Sequence, residues 1–265
     1  MNIQYASDLH LEFADNEEFL RYNNLVPKAD VLVLAGDIVN FHLMDDKAWF
    51  FDYLSQNFKT TYWVPGNHEY YHADLSVRSG SLLERIRPNV FLVNDYAVTI
   101  DDARLIFATM WTSIKPTHQF AIERRMNDFH LIRKMGNRLT CADLEKEHKV
   151  SLAFIKKELA EEAPDLKKIV VTHHVPTFMN YPPEYFGDVL NDAFAVNLTD
   201  YIFDHGPDYW IYGHHHQNIP DFIIGKTQLL TNQLGYVRYQ ENALFSNQKT
   251  ISLDNNINRQ QRVSR

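Results

Sequence analysis

The stretch from Val31 to Asp37 reads VLVLAGD, five apolar residues followed at once by a glycine and a carboxylate. A short, fully apolar run of this kind is typical of a strand buried on both faces of its sheet. Four further apolar or aromatic runs also end in polar side chains, at residues 3–10, 61–68, 169–174 and 209–216. Five such runs predict a fold built on sheets that are covered on both sides.

Helical patterns alternate with these runs. Helical spacing followed by a breaker predicts helices over residues 45–58, over residues 74–87 before Pro88, and over residues 141–163 before Pro164. Alternation of strands and helices indicates an α/β layered architecture.

Two other segments, residues 90–109 and 219–252, contain strand-like runs separated by turn signals and are interpreted as antiparallel strands. We therefore expect mixed sheets. No linker divides the chain, which predicts a single domain over residues 1–253 with a helical cap or insert around 112–163. Residues 254–265 lack an apolar pattern and are predicted to form a flexible tail.

The composition excludes several classes of protein. The 265 residues suffice for one sizeable core, and 45% hydrophobic and 23% charged residues are ordinary for a globular chain. No apolar run reaches the ~18 residues of a membrane span, and the amino terminus lacks the basic segment of a signal peptide. A single cysteine, Cys141, cannot form an intramolecular disulfide. We expect a cytoplasmic protein without a membrane partner.

The charge is −8, from 26 Lys and Arg against 34 Asp and Glu, which disfavours nucleic acid as a partner. Residues 115–138 run against this trend, with six basic and two acidic side chains. This local excess is interpreted either as a phosphate-gathering lip of the cap or as a solvated helix face.

Side chains of metal-ligand type follow all five runs. Asp8 and His10 are two residues apart, as are His214 and His216, so each pair can face one side of an extended strand. Ligands of open α/β sheets bind at the carboxyl ends of strands, where we expect these clusters to converge. Three clusters directly follow glycines, Gly36, Gly66 and Gly213. One cluster alone could be a turn, a cap or a surface loop, but five together indicate one site.

In order and content the clusters resemble the calcineurin-like metallophosphoesterases. The matching motifs are Asp8-x-His10, Gly36-Asp37, Gly66-Asn67-His68-Glu69, Thr172-His173-His174 and Gly213-His214-x-His216. The match extends from residue 5 to residue 216. The resemblance implies an α/β fold of the αββα type, a four-layer sandwich of two mixed β-sheets, with two divalent metal ions at the strand ends.

The resemblance also implies the ligands of both ions. One ion would be bound by Asp8, His10, Asp37 and His216, and the other by Asp37, Asn67, His173 and His214. Spacing alone leaves open whether His173 or His174 is the ligand, and the family pattern favours His173. Nitrogen and oxygen donors without a thiolate suit Mn, Fe, Zn or Co, of which we expect Mn, alone or with Fe.

Such a centre suits hydrolysis of a small phosphomonoester or phosphodiester, with nucleotides among the candidates. Paired metals can lower the pKa of a bridging water, and the resemblance implies that the bridging hydroxide attacks phosphorus beside Asp37. His68 would lie near the leaving group and supply its proton. Further substrate contacts are assigned to Asn127, Asp128 and His72, for which packing or turn roles are the alternatives.

Two other functions stay open. A metal-dependent nuclease of the same fold would need a basic track, and the sequence offers one only at residues 115–138. A non-catalytic metal-binding interaction module, like the retromer subunit that resembles this family, would be expected to have lost catalytic residues. All seven ligand positions and His68 are present.

Overall fold

The structure is a computed structural model that describes residues 1–253. The predicted tail, residues 254–265, lies outside the described residues. The strands are β1 (Asn2–Ala6), β2 (Val31–Ala35), β3 (Thr60–Val64), β4 (Leu82–Arg87), β5 (Val90–Asn94), β6 (Tyr96–Ile100), β7 (Ala103–Ala108), β8 (Arg133–Lys134), β9 (Asn137–Arg138), β10 (Lys167–Thr172), β11 (Tyr209–Tyr212), β12 (Phe222–Ile224), β13 (Thr227–Thr231) and β14 (Thr250–Ser252). The α-helices are α1 (Ala14–Tyr22), α2 (Ala48–Asn57), α3 (Pro116–Arg125), α4 (Asp128–Leu131), α5 (Cys141–Ala160), α6 (Asn191–Phe194) and α7 (Thr199–His205).

Two six-stranded sheets share one plan. The first has the order β14-β1-β2-β3-β5-β4 and the second the order β12-β13-β11-β10-β7-β6. In each sheet four parallel strands are flanked by one antiparallel strand at either edge. The predicted mixed pairing is therefore confirmed, and the hairpins β6–β7 and β12–β13 are antiparallel as expected. However, β5, β7 and β13 also pair in parallel with a neighbour, which the pattern of one segment cannot reveal.

The alternation of side chains along β2 explains how the layers stack. Val31, Val33 and Ala35 belong to the core between the two sheets, whereas Leu32 and Leu34 face the opposite way, toward the core that includes residues of α1 and α2. A third cluster covers the outer face of the second sheet with residues of α5 and α7. Two sheets face each other and helices cover both outer faces, which confirms the predicted αββα sandwich.

The helix predicted over residues 74–87 is wrong. Gly80, with φ of +71°, separates a short 3-10 turn at Leu75–Val77 from the edge strand β4. Pairing of β4 with β5 outweighs the local helical spacing, because strand preference depends on the neighbours that a segment finds in the folded sheet. The other two predicted helices are α2 and α5, and α5 begins with a capping box between Thr140 and Asp143.

The segment expected to form a cap or insert, residues 112–163, contains α3, α4, the β8–β9 hairpin and α5. Helix α5 supplies Ile155 to the outer core of the second sheet, so this helix is part of the sandwich. The short elements α3 and α4 precede it. No helix within residues 1–253 is long and apolar enough to cross a membrane.

Candidate metal centre

The carboxyl ends of β1, β2, β3, β10 and β11 meet at one edge of the sandwich. Cross-sheet hydrogen bonds fix this edge: His173 Nδ1 lies 2.9 Å from the Ala35 carbonyl oxygen, and the His214 N–H donates to Asp8 Oδ1 over 3.0 Å. Within the second sheet, the Gly213 N–H donates to the His173 carbonyl. The five polar clusters therefore lie together, as their positions after the strands suggested.

Four side chains form a first group of potential ligands, with one donor atom from each lying within 4.8 Å of the others: Asp8, His10, Asp37 and His216. The Nε2 atoms of His10 and His216 are 2.9 Å apart. Asp37 Oδ2 lies 3.8 Å from His10 Nε2, and Asp8 Oδ1 lies 3.5 Å from His216 Nε2. Two imidazoles and two carboxylates thus surround one point.

A second group shares Asp37 with the first and adds His173 and His214. His173 Nε2 lies 3.3 Å from Asp37 Oδ2, 3.0 Å from His214 Nδ1 and 3.1 Å from Asn67 Oδ1. His174 Nδ1, in contrast, lies 3.1 Å from the Thr109 carbonyl oxygen. The geometry therefore favours His173 over His174 as the candidate ligand, and Asp37 is the group common to both sets.

The donors fit divalent cations. His214 Nε2 is buried, and no described residue forms a hydrogen bond with it. Asp8 and Asp37 are 0% and 1% exposed, and buried carboxylates are costly unless they are paired or bind a metal. A Cβ on Gly66 would lie 2.2 Å from Asp37 Oδ1, so this backbone must be glycine for the carboxylate to keep its place.

Backbone strain is concentrated in the same residues. Five of the seven predicted ligands have a positive φ, a conformation that non-glycine residues adopt rarely: Asp8, His10, Asp37, His214 and His216. Such conformations cost on the order of 1–3 kcal/mol each and occur where the surrounding structure holds them for a functional geometry. The strain therefore supports a site whose side-chain directions matter more than local stability.

His68 lies beside both groups. Its Nδ1 is 2.9 Å from Glu12 Oε1, its Nε2 is 3.4 Å from the Tyr236 hydroxyl, and its ring centroid is 4.2 Å from that of Tyr71. The backbone N–H of His68 donates to Asp37 Oδ1 over 2.9 Å. Burial lowers the pKa of His68, but the charges of Asp37 and Glu12 outweigh it and bring the pKa to about 9.

Glu12 is a site residue that the sequence interpretation missed. Its Oε1 lies 3.0 Å from His10 Nδ1 and 2.9 Å from His68 Nδ1, so one carboxylate orients two imidazoles. Burial raises the pKa of Glu12, yet the two histidines bring it down to about 2. The sequence spacing of two that separates Asp8 from His10 continues to Glu12, but all three residues follow the end of β1, where strand periodicity no longer applies. Only the contacts in the folded chain reveal Glu12.

Glu69 supports the turns that carry Asp37 and Asn67. Its Oε2 accepts hydrogen bonds from the N–H groups of Asp37 and Gly66, and its Oε1 accepts from the Ile38 N–H and the Trp63 indole. Burial, and next the charge of Asp37, raise the pKa of Glu69 to about 8. This glutamate, which follows the Gly-Asn-His motif, thus fastens the ends of β2 and β3 to each other.

The three residues predicted to contact substrate have different positions. Asn127 lines a cavity of about 270 Å³ whose other walls include His68, Tyr71, Tyr236 and Arg125. Asp128 does not line it: the Asp128 carboxylate is buried and accepts from Asn67 Nδ2 over 2.9 Å and from the Tyr71 hydroxyl over 2.8 Å. Asp128 therefore holds a candidate metal ligand in place. His72 is exposed, and its ring packs against His42, outside the cavity lining.

The basic residues of the predicted lip, in residues 115–138, also differ in position and contacts. Arg125 lines the cavity, whereas Lys134 pairs with Glu147 and the Arg138 guanidinium donates to the carbonyls of Phe129 and Glu123. Lys115 pairs with Asp192, so three of the six basic side chains are used in structural contacts.

Two further residues of the cavity had no sequence signal. The Tyr236 ring lies 4.4 Å from the His216 ring, and Glu241 Oε2 lies 2.8 Å from His216 Nδ1. Burial raises the pKa of Glu241, but hydrogen bonding to His216 and to the Tyr236 N–H lowers it below its ordinary value. Both residues lie on a loop after β13 with no recognisable motif, so only the fold reveals them.

A family model described as calcineurin-like phosphoesterase matches residues 1–218. The chain belongs to the calcineurin-like phosphoesterase family. The resemblance predicted from the five motifs is thereby confirmed, and the protein is a metallophosphoesterase, a hydrolase acting on phosphoester bonds. Members of this family bind metal ions, and this chain has candidate ligands at the ends of its two facing sheets, so it is a metal-binding protein.

The similarity to known proteins covers most of this metallophosphoesterase chain. An uncharacterized protein of Acanthamoeba polyphaga mimivirus is 32% identical over 91% of this chain and 93% of the relative. Two solved structures share the fold. A phosphopantetheinyl hydrolase from Mycobacterium tuberculosis has a TM-score of 0.68 and 16% identity over 96% of each chain. A dimetal phosphatase from Danio rerio has a TM-score of 0.51 and 14% identity over 88% of this chain and 87% of that one.

Proposed function

We propose that this metallophosphoesterase hydrolyses a small phosphate ester at a dinuclear metal centre. The observation that carries the proposal is the pair of donor groups that share Asp37: Asp8, His10 and His216 on one side, and His173 and His214 on the other. Asn67 Oδ1, 3.1 Å from His173 Nε2, completes the second set. The cavity of about 270 Å³ beside these groups has the size of a site for a small molecule rather than a polymer track.

The donor chemistry supports Mn²⁺ as the first metal to test. All the proposed ligands offer imidazole nitrogen, carboxylate oxygen or amide oxygen, and the one cysteine, Cys141, is buried outside the two donor groups. Such mixed sites suit Mn, Fe, Zn or Co. Two ions bound there would lower the pKa of a bridging water and stabilise the charge of the attacking and leaving oxygens.

The residues of the chain would divide the remaining work. Asp37 would hold both ions, and His68 would deliver a proton to the leaving group from Nε2, because its Nδ1 is already engaged by the Glu12 carboxylate. Arg125, which also lines the cavity and lies 3.8 Å from Asp188 Oδ1, would attract the anionic ester. Tyr236 lies within 3.4 Å of His68 Nε2 and would limit the positions that this imidazole can take.

The test is hydrolysis of bis(p-nitrophenyl) phosphate and p-nitrophenyl phosphate by the Mn-reconstituted protein. We expect metal-dependent release of p-nitrophenol from at least one ester, with the ratio of the two rates giving the preference for diester or monoester. Asp37→Asn is the variant expected to lose this activity, and Asp102→Asn is its matched control, because Asp102 is an exposed carboxylate in the turn before β7, at the opposite ends of the parallel strands. Absence of metal-dependent hydrolysis of both esters, in a protein that binds Mn²⁺, would contradict the proposal.

A further inference from the structure

A second cavity, of about 170 Å³, adjoins the cavity of the metal centre. The two share three wall residues, Tyr185, Phe194 and His215. The Phe194 ring lies 4.7 Å from the ring of His214, one of the proposed ligands. We call this second space the aromatic cavity; its remaining walls are Tyr181, Asp188, Leu190 and Asn191. The shared walls place the aromatic cavity directly beside the metal centre.

The walls of the aromatic cavity are fixed to the rest of the fold. The Val175 N–H donates to the Phe194 carbonyl, and Val175 and Ala195 form a parallel bridge just after β10. Asp192, which is buried, accepts from the Lys115 N–H and lies 2.8 Å from His118 Nδ1 at the start of α3. These contacts hold α6, which carries Phe194, against the end of β10 and the start of α3.

His215 gives the aromatic cavity a hydrogen-bond donor. The His216 N–H donates to Gln233 Oε1, which fixes the Gln233 amide so that its Nε2 donates to His215 Nδ1 over 2.8 Å. The Gln217 N–H donates to the same Nδ1 over 3.3 Å. Because Nδ1 accepts both bonds, the ring is neutral and carries its hydrogen on Nε2.

We propose that the aromatic cavity binds a nucleobase, so that the substrate is a small nucleotide whose phosphate lies at the metal centre. Three of its seven wall residues are aromatic, the type of side chain on which bases stack: Tyr181, Tyr185 and Phe194. Its polar walls are the His215 ring and the side chains of Asp188 and Asn191. Asp188 Oδ1 accepts from the Leu190 N–H and Asn191 Nδ2 donates to the Tyr185 carbonyl. Asp188 Oδ2 and Asn191 Oδ1 therefore remain to accept from the edge of a base, which an alkyl chain could not use. This inference rests on the proposed function, because the phosphate is assigned to the metal ions.

Equilibrium binding separates the base from the chemistry. The Mn-loaded protein is titrated calorimetrically with the methylenephosphonate analogue of adenosine 5′-monophosphate and with the corresponding analogue of ribose 5-phosphate, neither of which has an ester bond to hydrolyse. We expect the nucleotide analogue to bind roughly 5- to 150-fold more tightly, the range of base stacking on aromatic side chains. Tyr185→Ala, at a residue that is 40% exposed, removes most of this preference. Phe186→Ala is the matched control, because Phe186 is 68% exposed and lines neither cavity.

The outcomes distinguish the two proposals. Equal affinity for the two analogues, or a preference that survives both Tyr185→Ala and Tyr181→Leu, overturns the nucleobase site. If the esters are hydrolysed and the analogues bind equally, the phosphoesterase proposal stands and the nucleobase site fails. If the nucleotide analogue is preferred and no ester is hydrolysed, the nucleobase site stands and the proposed function fails.

Discussion

The metal centre and the aromatic cavity are adjacent, but the first is formed by residues at strand ends and the second mainly by a loop. The candidate ligands follow parallel strands by one to four residues, so that the register of two sheets sets their positions. The walls of the aromatic cavity come mainly from the segment between β10 and α7, which contains only a 3-10 turn at Pro183–Tyr185 and the single turn α6. The difference shows two ways of building a site. The register of the two sheets positions the candidate metal ligands, whereas a loop forms the walls of the cavity proposed to bind the rest of the substrate.

The largest expected effect is that of Asp37→Asn, which breaks the metal centre and leaves the aromatic cavity intact. Removal of the carboxylate common to both donor groups is expected to lower Mn²⁺ content and to reduce turnover by more than the ~10–100-fold typical of a residue that only supports a ligand. Metal analysis and initial rates with bis(p-nitrophenyl) phosphate measure both effects. Full Mn²⁺ content with wild-type turnover would remove Asp37 from the centre.

His68→Ala tests the division of labour inside the metal centre. His68 lies beside the candidate ligands but is a member of neither donor group that contains Asp37. We therefore expect its loss to leave the Mn²⁺ content unchanged and to lower kcat roughly 10²–10⁴-fold, as for loss of a general acid. His42→Ala, an exposed histidine away from the cavity lining, is the control. Wild-type kcat in His68→Ala would exclude proton delivery by this residue.

Glu12→Gln keeps the side chain's size and removes the charge that orients His10 and His68. Partners of metal-binding histidines typically contribute ~10–100-fold to metal affinity or activity, which is the loss expected here. A Mn²⁺ titration followed by rates at saturating metal separates the contribution through His10 from that through His68. Glu18→Gln, an exposed glutamate in α1, should leave both quantities unchanged. Unchanged metal affinity and rate in Glu12→Gln would make its contacts incidental.

The smallest effect on Mn²⁺ content and turnover is expected from Asp192→Ala, which loosens the contacts that hold α6 beside the aromatic cavity. Loss of the bonds to Lys115 and His118 should lower the free energy of unfolding by about 1–3 kcal/mol in a urea titration, with Mn²⁺ content unchanged. Asp200→Ala, exposed in the first turn of α7, controls for loss of a surface carboxylate. Loss of Mn²⁺ in Asp192→Ala would show that the two regions are not separable.

The same difference explains what the sequence could and could not predict. Asp8 and His10 could be predicted because ligand residues follow the carboxyl end of a strand. The expected extended conformation was wrong, since both residues lie after β1 and have a positive φ. The edge strand β4 was not legible, since its identity depends on pairing with β5. For Asp128 the sequence left a substrate contact and a packing role open, and the structure shows its carboxylate accepting a hydrogen bond from Asn67.

Long-range contacts account for the remaining gaps. The Tyr236 hydroxyl contacts His68 Nε2 although the two residues are 168 positions apart, and no short sequence pattern predicts such a contact. The aromatic cavity has the same limitation, because Tyr181 and Phe194 act together only after the loop between β10 and α7 has folded. The wall residues of the aromatic cavity are therefore harder to predict from the sequence than the candidate metal ligands beside them.

The most direct test of the account is anomalous diffraction from crystals of the protein grown with Mn²⁺. We predict two manganese peaks about 3.5–4 Å apart. One would lie between His10 and His216, the other beside His173 and His214, and Asp37 would contact both. A single peak, or a second ion bound through His174, would contradict the shared centre.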